Sequence, residues 1–199
     1  MRAPDLDALL GPGDLAVLAP HPDDETLGCG ALLAAAFEAG RRARVIVVTR
    51  GDKSHRNSAR WPAERLAERR ASEAIEAVRR LGGSKEDVAF LDYPDWGAPQ
   101  SGMALTKAAL RITDILDRLT TPALFATSGA DPHADHKATA EIAREATRIR
   151  PGLRLFFYPI WSRDLDGSVD TSPDQRLHRF PVAPFASRKR HALDAHATQ

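Results

Sequence analysis

The chain has 199 residues, with 28 basic and 27 acidic side chains and a formal net charge of +1. That balance excludes a nucleic-acid binder acting through bulk charge, and a single cysteine, Cys29, excludes a disulfide framework or a Cys-rich zinc module. No run approaches the ~20 apolar residues needed to span a bilayer. The N-terminal MRAPDLDALLGPGD has acids and prolines where a signal peptide needs an apolar core, so a soluble, cytoplasmic protein with one domain over 1–199 is expected.

The apolar run Leu15–Ala19, ended by Pro20, reads as a buried strand. Residues 26–39 carry one charge and close at Gly40, which reads as a helix with little solvent-facing surface. Residues 45–49 are continuous and β-branched, as in a central parallel strand. The polar segment 51–61 reads as a loop. Residues 62–81 repeat apolar side chains every three or four positions and predict a helix stopped by Gly82-Gly83. A short strand at 88–91 leads into a Pro/Gly loop at 93–102, and Thr106 is expected to cap the next helix. A strand at Ala123–Thr127, a helix at Ala134–Ile149 and a strand at 153–158 follow. Residues 162–174 are polar and turn-rich, 179–182 read as an edge strand, and 186–196 read as a last helix. This alternation predicts a Rossmann-like α/β fold, a mainly parallel sheet of order 3-2-1-4-5 with helices on both faces.

In that order the first and fourth strands are neighbours, and their C-terminal ends flank the crevice where such folds bind ligands. The first strand runs into His21-Pro22-Asp23-Asp24-Glu25, the fourth into Asp131-Pro132-His133-Ala134-Asp135-His136. Two imidazoles and a carboxylate would complete a catalytic zinc site with one position open for water. Of two adjacent aspartates in a short turn, one can ligate while the other stays free as a base. Taken singly, each segment has a structural reading: acids suit a first helical turn, and histidines three apart on a helix are often surface or core pairs. Their joint placement favours chemistry. A dinucleotide site fits poorly. Gly28 and Gly30 are followed by Leu33 where the fingerprint wants Gly or Ala, and three acids precede them. Cys29, among small apolar residues, reads as a buried inert thiol.

At these residues the sequence resembles the PIG-L/LmbE-like family of zinc-dependent N-deacetylases. Pro20 to Gly30 match its HPDDE motif and small-residue helix, and His133-Ala134-Asp135-His136 match HxDH. Arg70, Glu73, Ala77, Leu81 and Gly82 match a helical pattern. Pro94-Asp95 match a loop pattern in which Trp96 replaces the usual Gly. Lys189, Ala192, His196, Thr198 and Gln199 match a late pattern, after which family members often continue. The resemblance implies His21, Asp24 and His136 as ligands of Zn2+, with Asp23 as the general base that activates water. It implies His133 as a protonated group that steadies the oxyanion or protonates the leaving amine, and Asp135 as its orienting carboxylate. Arg70 and Asp95 match positions that hold sugar hydroxyls. A bell-shaped pH profile would follow, with His133 on its basic limb. The implied substrate is a small-molecule N-acetylglucosamine-type sugar or conjugate; other N-acyl or thiol-conjugate amides, a non-catalytic metal- or sugar-binding module and a homo-oligomer stay open. The loops 51–61 and 162–175 are expected to line the pocket rim.

Overall fold

A computed structural model describes residues 6–55, 57–120, 122–161 and 176–198; the 162–175 loop and Gln199 lie outside them. Five parallel strands form one sheet of order β3-β2-β1-β4-β5: β1 Leu15–Ala19, β2 Ala43–Thr49, β3 Val88–Tyr93, β4 Ala123–Thr127 and β5 Arg154–Tyr158. Every residue of β1 and β4 is buried, which explains why their sequences are apolar without alternation. In register, Leu15 faces Ala43 on one side and Ala123 on the other, so the ends of β1 and β4 emerge side by side.

Alternate strand residues feed two apolar layers. Leu15, Val17, Val45 and Val47 pack beneath α1 Leu6–Leu10, α2 Asp24–Glu38, α3 Ala63–Leu81 and α6 Ala186–Leu193. Ala16, Leu18, Ile46 and Val48 pack against α4 Gly102–Leu116 and α5 Ala134–Ile149. The expected strand order and two-faced helix cover are both present. Gly28 on α2 is a packing residue, because a Cβ there would meet the Tyr158 ring at 2.2 Å. Tyr158 in turn donates its hydroxyl to Leu18 O at 3.0 Å, tying β5 to the end of β1.

Three sequence expectations change. The fourth helix starts at Gly102 after Ser101, so Thr106 lies inside it and donates back to Gly102 O instead of capping. Residues 179–182 pair with no strand among the described residues: β5 ends the sheet, and the chain passes through a 3-10 turn, Ala183–Phe185, into α6. The strand expected at 88–91 runs on to Tyr93 through a bulge, since Val47 pairs with Phe90 but Thr49 with Tyr93. The extra residue, Asp92, takes φ 60, and such a bulge bends the strand end.

Candidate active site

The turn after β1 is folded on the Asp24 side chain. Asp24 Oδ2 accepts from His21 N at 3.1 Å and lies 3.2 Å from His21 Nδ1. The same oxygen is 3.4 Å from His136 Nε2, at the start of α5. His136 Nδ1 lies 3.0 Å from Asp131 Oδ2, and the buried Asp131 also accepts from Ile160 N and Trp161 N. His133, the N-cap of α5, accepts the Asp135 N–H at Nδ1, 3.2 Å. The imidazoles of His21, His133 and His136 stand within 4.8–5.4 Å of each other by ring centroid.

The segment after β3 closes the third side. Asp135 Oδ2 accepts from Trp96 N at 2.7 Å, Asp135 Oδ1 accepts from Ala98 N at 3.1 Å, and Oδ2 also lies 3.2 Å from His21 Nε2. Asp135 therefore orients His21 and the 96–98 backbone, whereas its expected partner, the His133 ring, meets only its backbone amide. Asp95 Oδ1 is 3.3 Å from the same His21 nitrogen. Asp95 Oδ2 accepts from Lys53 N, and Asp95 N donates to Asp52.

Arg70 is 5% exposed. It donates to Gly51 O at 2.7 Å and holds Nη2 3.8 Å from Asp23 Oδ2. Gly51, at φ 60, leaves room for the guanidinium, since a Cβ would sit 2.2 Å from Arg70 Nη1 and displace it. Arg70 and Glu73 are buried charges set inside the apolar stripe of α3, so Arg70 is no solvated helix charge. Glu73 accepts from Thr198 Oγ1 at 2.7 Å and from Arg69 Nε at 2.7 Å. Glu25 Oε1 meets His196 Nε2 at 3.2 Å, and Lys189 Nζ donates to Leu27 O. The late sequence pattern is thus the clamp that fastens the C-terminal segment behind α2 and α3. Of the expected rim loop, His55, Arg60 and Trp61 join Arg69, Ala197 and Thr198 around a cleft of about 380 Å³.

Burial and neighbours divide the protonation states. Burial opposes a charge on His21, but hydrogen bonds to Asp135, Asp24 and Asp95 win and push it up to about 11. Burial likewise opposes ionised Asp24, yet hydrogen bonds from His136 and His21 hold it well below the usual carboxylate range. His136 rises to about 8 against its burial, through Asp131 and Asp24. Asp23 is pushed up to about 7 by burial and the Asp24 charge, with Arg70 pulling the other way. His133 is lowered by burial and by the charges of His21 and His136. With Nδ1 already accepting a backbone N–H, the neutral ring carries its proton on Nε2. The imidazolium expected from the sequence is therefore disfavoured. Burial raises the Cys29 thiol, in keeping with an inert role.

All eight expected site residues converge at the ends of β1, β3 and β4 and on the first half of α3. Among the described residues, two sets have the spacing to hold a metal: His21 with His133 and His136, and His21 with Asp95, His133 and Asp135. Asp24 belongs to neither set, but one of its oxygens lies 3.2 Å from His21 Nδ1 and 3.4 Å from His136 Nε2. Asp131 escaped the sequence reading. Its signal was an acid in the loop after a buried strand, five residues before a candidate ligand.

A family model described as PIG-L, GlcNAc-PI de-N-acetylase, matches residues 16–147, which contain every one of these side chains. The chain belongs to the PIG-L family. A 1D-myo-inositol 2-acetamido-2-deoxy-alpha-D-glucopyranoside deacetylase of Kineococcus radiotolerans is 32% identical over 159 residues, 77% of this chain and 41% of that protein. The chain thus spans about two fifths of that relative's length. Among solved structures, a conserved protein of Thermus thermophilus is 30% identical, with TM-score 0.68, over 94% of this chain and 80% of that one. The A40926 pseudoaglycone deacetylase Dbv21 is 26% identical, with TM-score 0.69, over 94% and 82%. Among the described residues, no helix is long and apolar enough to cross a membrane.

Proposed function

We propose that this PIG-L protein is a zinc-dependent N-deacetylase that hydrolyses the acetamide of a small N-acetylglucosamine-type sugar or conjugate, in the cytoplasm. The observation that carries the reading is the spacing around Asp24 Oδ2, 3.2 Å to His21 Nδ1 and 3.4 Å to His136 Nε2. Ligands at adjacent corners of a tetrahedron with zinc bonds of 2.0–2.1 Å stand about 3.3–3.4 Å apart. His21, Asp24 and His136 would hold the ion. Asp131 behind His136, and Asp135 with Asp95 behind His21, have the outer-carboxylate arrangement that orients metal-bound imidazoles. The alternative sets draw on His133, whose Nδ1 is occupied by the Asp135 amide, and on Asp135, whose two oxygens already accept amide protons.

When bound, zinc would polarise the acetyl carbonyl and acidify an attacking water. Asp23, beside Asp24 and loosely paired with Arg70 among the described residues, can take the water's proton as it adds to the carbonyl carbon. The His133 Nε2–H donates to the oxygen as it gains charge. Asp23 then returns its proton to the sugar nitrogen as the C–N bond breaks, leaving acetate and a free amine. Asp95, on the floor beside His21, and Arg70 through Nη2 are the groups placed to meet sugar hydroxyls. A purely binding module would have no use for the free base Asp23. The test is acetate release across N-acetyl sugars and bulkier N-acyl amides, before and after chelation and zinc return. Release confined to acetamido sugars and dependent on the metal supports the reading; zinc-dependent cleavage of other amides alone would reassign the substrate, and metal-independent release would refute it.

A further inference from the structure

The segment that follows Asp95 carries a feature the deacetylation chemistry does not use. Trp96 has φ 64, a left-handed conformation that glycine adopts freely and a bulky residue adopts only under strain. Its backbone N–H is committed to Asp135 at 2.7 Å, a bond that any residue except proline would make. The indole is therefore not needed for that anchor. Yet the side chain is 55% exposed, and the ring contact it makes is with His133, at 4.3 Å between centroids and 44° between planes. A core role does not explain a large apolar ring left half in water on a strained backbone. It stands against His133, the residue that donates to the reacting oxygen, with more than half of its surface in water.

We propose that Trp96 is a substrate-binding residue whose indole stacks on the apolar C–H face of the pyranose ring that bears the scissile acetamide. The proposal rests on the deacetylase reading and deepens it by naming the part of the substrate that is held. The acetyl group must reach the buried floor where His21, Asp24 and His136 meet. The sugar, larger and continuous with solvent, is what lies at the height of an exposed ring beside His133. A flat aromatic face offers dispersion contact to a pyranose C–H surface without a hydrogen-bond partner of its own. It discriminates for a ring and against an open-chain amide.

The experiment compares kcat and KM for methyl 2-acetamido-2-deoxy-glucoside and for an acyclic N-acetyl amide in Trp96→Phe, Trp96→Leu and Trp96→Gly. Trp96→Leu and Trp96→Gly are expected to raise KM for the glycoside about 3- to 12-fold. Trp96→Phe should retain most of the affinity, and kcat/KM for the acyclic amide should move less than twofold. Equal slowing of both substrates would show that the residue only props the 95–98 segment, and an unchanged glycoside KM would leave the indole without a ligand; either overturns the proposal. A second readout does not need turnover. In a Trp61→Phe, Trp161→Phe background the Trp96 indole is the sole tryptophan, and N-acetylglucosamine should change its fluorescence saturably. If the wild type hydrolyses no amide but the sugar still changes this signal, the platform stands and the deacetylase reading falls. If hydrolysis is present and the signal is flat, the platform falls alone.

Discussion

Two segments meet across the pocket, and they are built on different principles. The turn after β1 is a polar lattice: one carboxylate oxygen of Asp24 gathers His21 N, His21 Nδ1 and His136 Nε2. Its geometry is set by short bonds that converge on one carboxylate, from His21 in the same turn and from His136 across the crevice. The segment from the bulged end of β3 onward is set by its backbone, with Asp92 and Trp96 both at positive φ and the Trp96 and Ala98 amides handed to Asp135. The first is suited to hold a metal and a base in fixed places. The second presents a side chain to whatever enters. Asp135 joins them, because its carboxylate touches His21 on one side and the Trp96 and Ala98 amides on the other.

The sharpest way to separate the two is within the turn itself. Asp23→Asn keeps the shape but cannot take a proton, so it should lower kcat roughly 10²–10⁴-fold with zinc content unchanged. In the wild type, the rate should fall as acid protonates Asp23. Burial pushes that group up to about 7, and a cation bound beside it would lower it, so the limb should lie at or below pH 7. Because His133 is lowered and neutral, no basic limb should arise from it, and a plateau replaces the expected bell. A basic limb that disappears in His133→Ala would restore the imidazolium.

Arg70→Ala should reduce kcat/KM for a sugar about 10- to 150-fold, through lost charge-assisted bonds. Removing its positive charge, which lowers the Asp23 pKa, should also move the acidic limb to higher pH. If the limb stays in place, Arg70 does not act on the base. Asp135→Asn is the smallest of these changes and the one aimed at the junction. An amide cannot accept both segment N–H groups and still serve His21, so zinc affinity should drop about 10- to 100-fold while Asp23 and Asp24 remain. Unaltered affinity, measured by competition with a chelator, would mean the two segments are independent.

The difference between these segments also explains what the sequence made legible. Strand order followed from uninterrupted apolar runs alternating with amphipathic helices, and the zinc-type cluster followed from histidines and aspartates at two neighbouring strand ends. Local pattern does not carry long-range pairing. Asp135 is adjacent to His136 and two residues from His133, yet its carboxylate serves His21 from the other side of the crevice. Asp92 and Trp96 carry no glycine to announce their positive φ, so the bulge and the turn it throws over the site were hidden. Arg70 and Glu73 could have been read as buried, since they fall three apart inside the apolar stripe of α3. The clamp between Glu73 and Thr198 joins two patterns that the sequence offered separately, and nothing local paired them.

The ligand set is the claim on which the rest stands, and zinc stoichiometry in single variants tests it most directly. About one zinc per chain is expected in the wild type, in Asp23→Asn and in His133→Ala, with the metal lost from His21→Ala, Asp24→Ala and His136→Ala. Full zinc occupancy in Asp24→Ala together with its loss from His133→Ala would move the ion to the three-imidazole set and contradict the assignment.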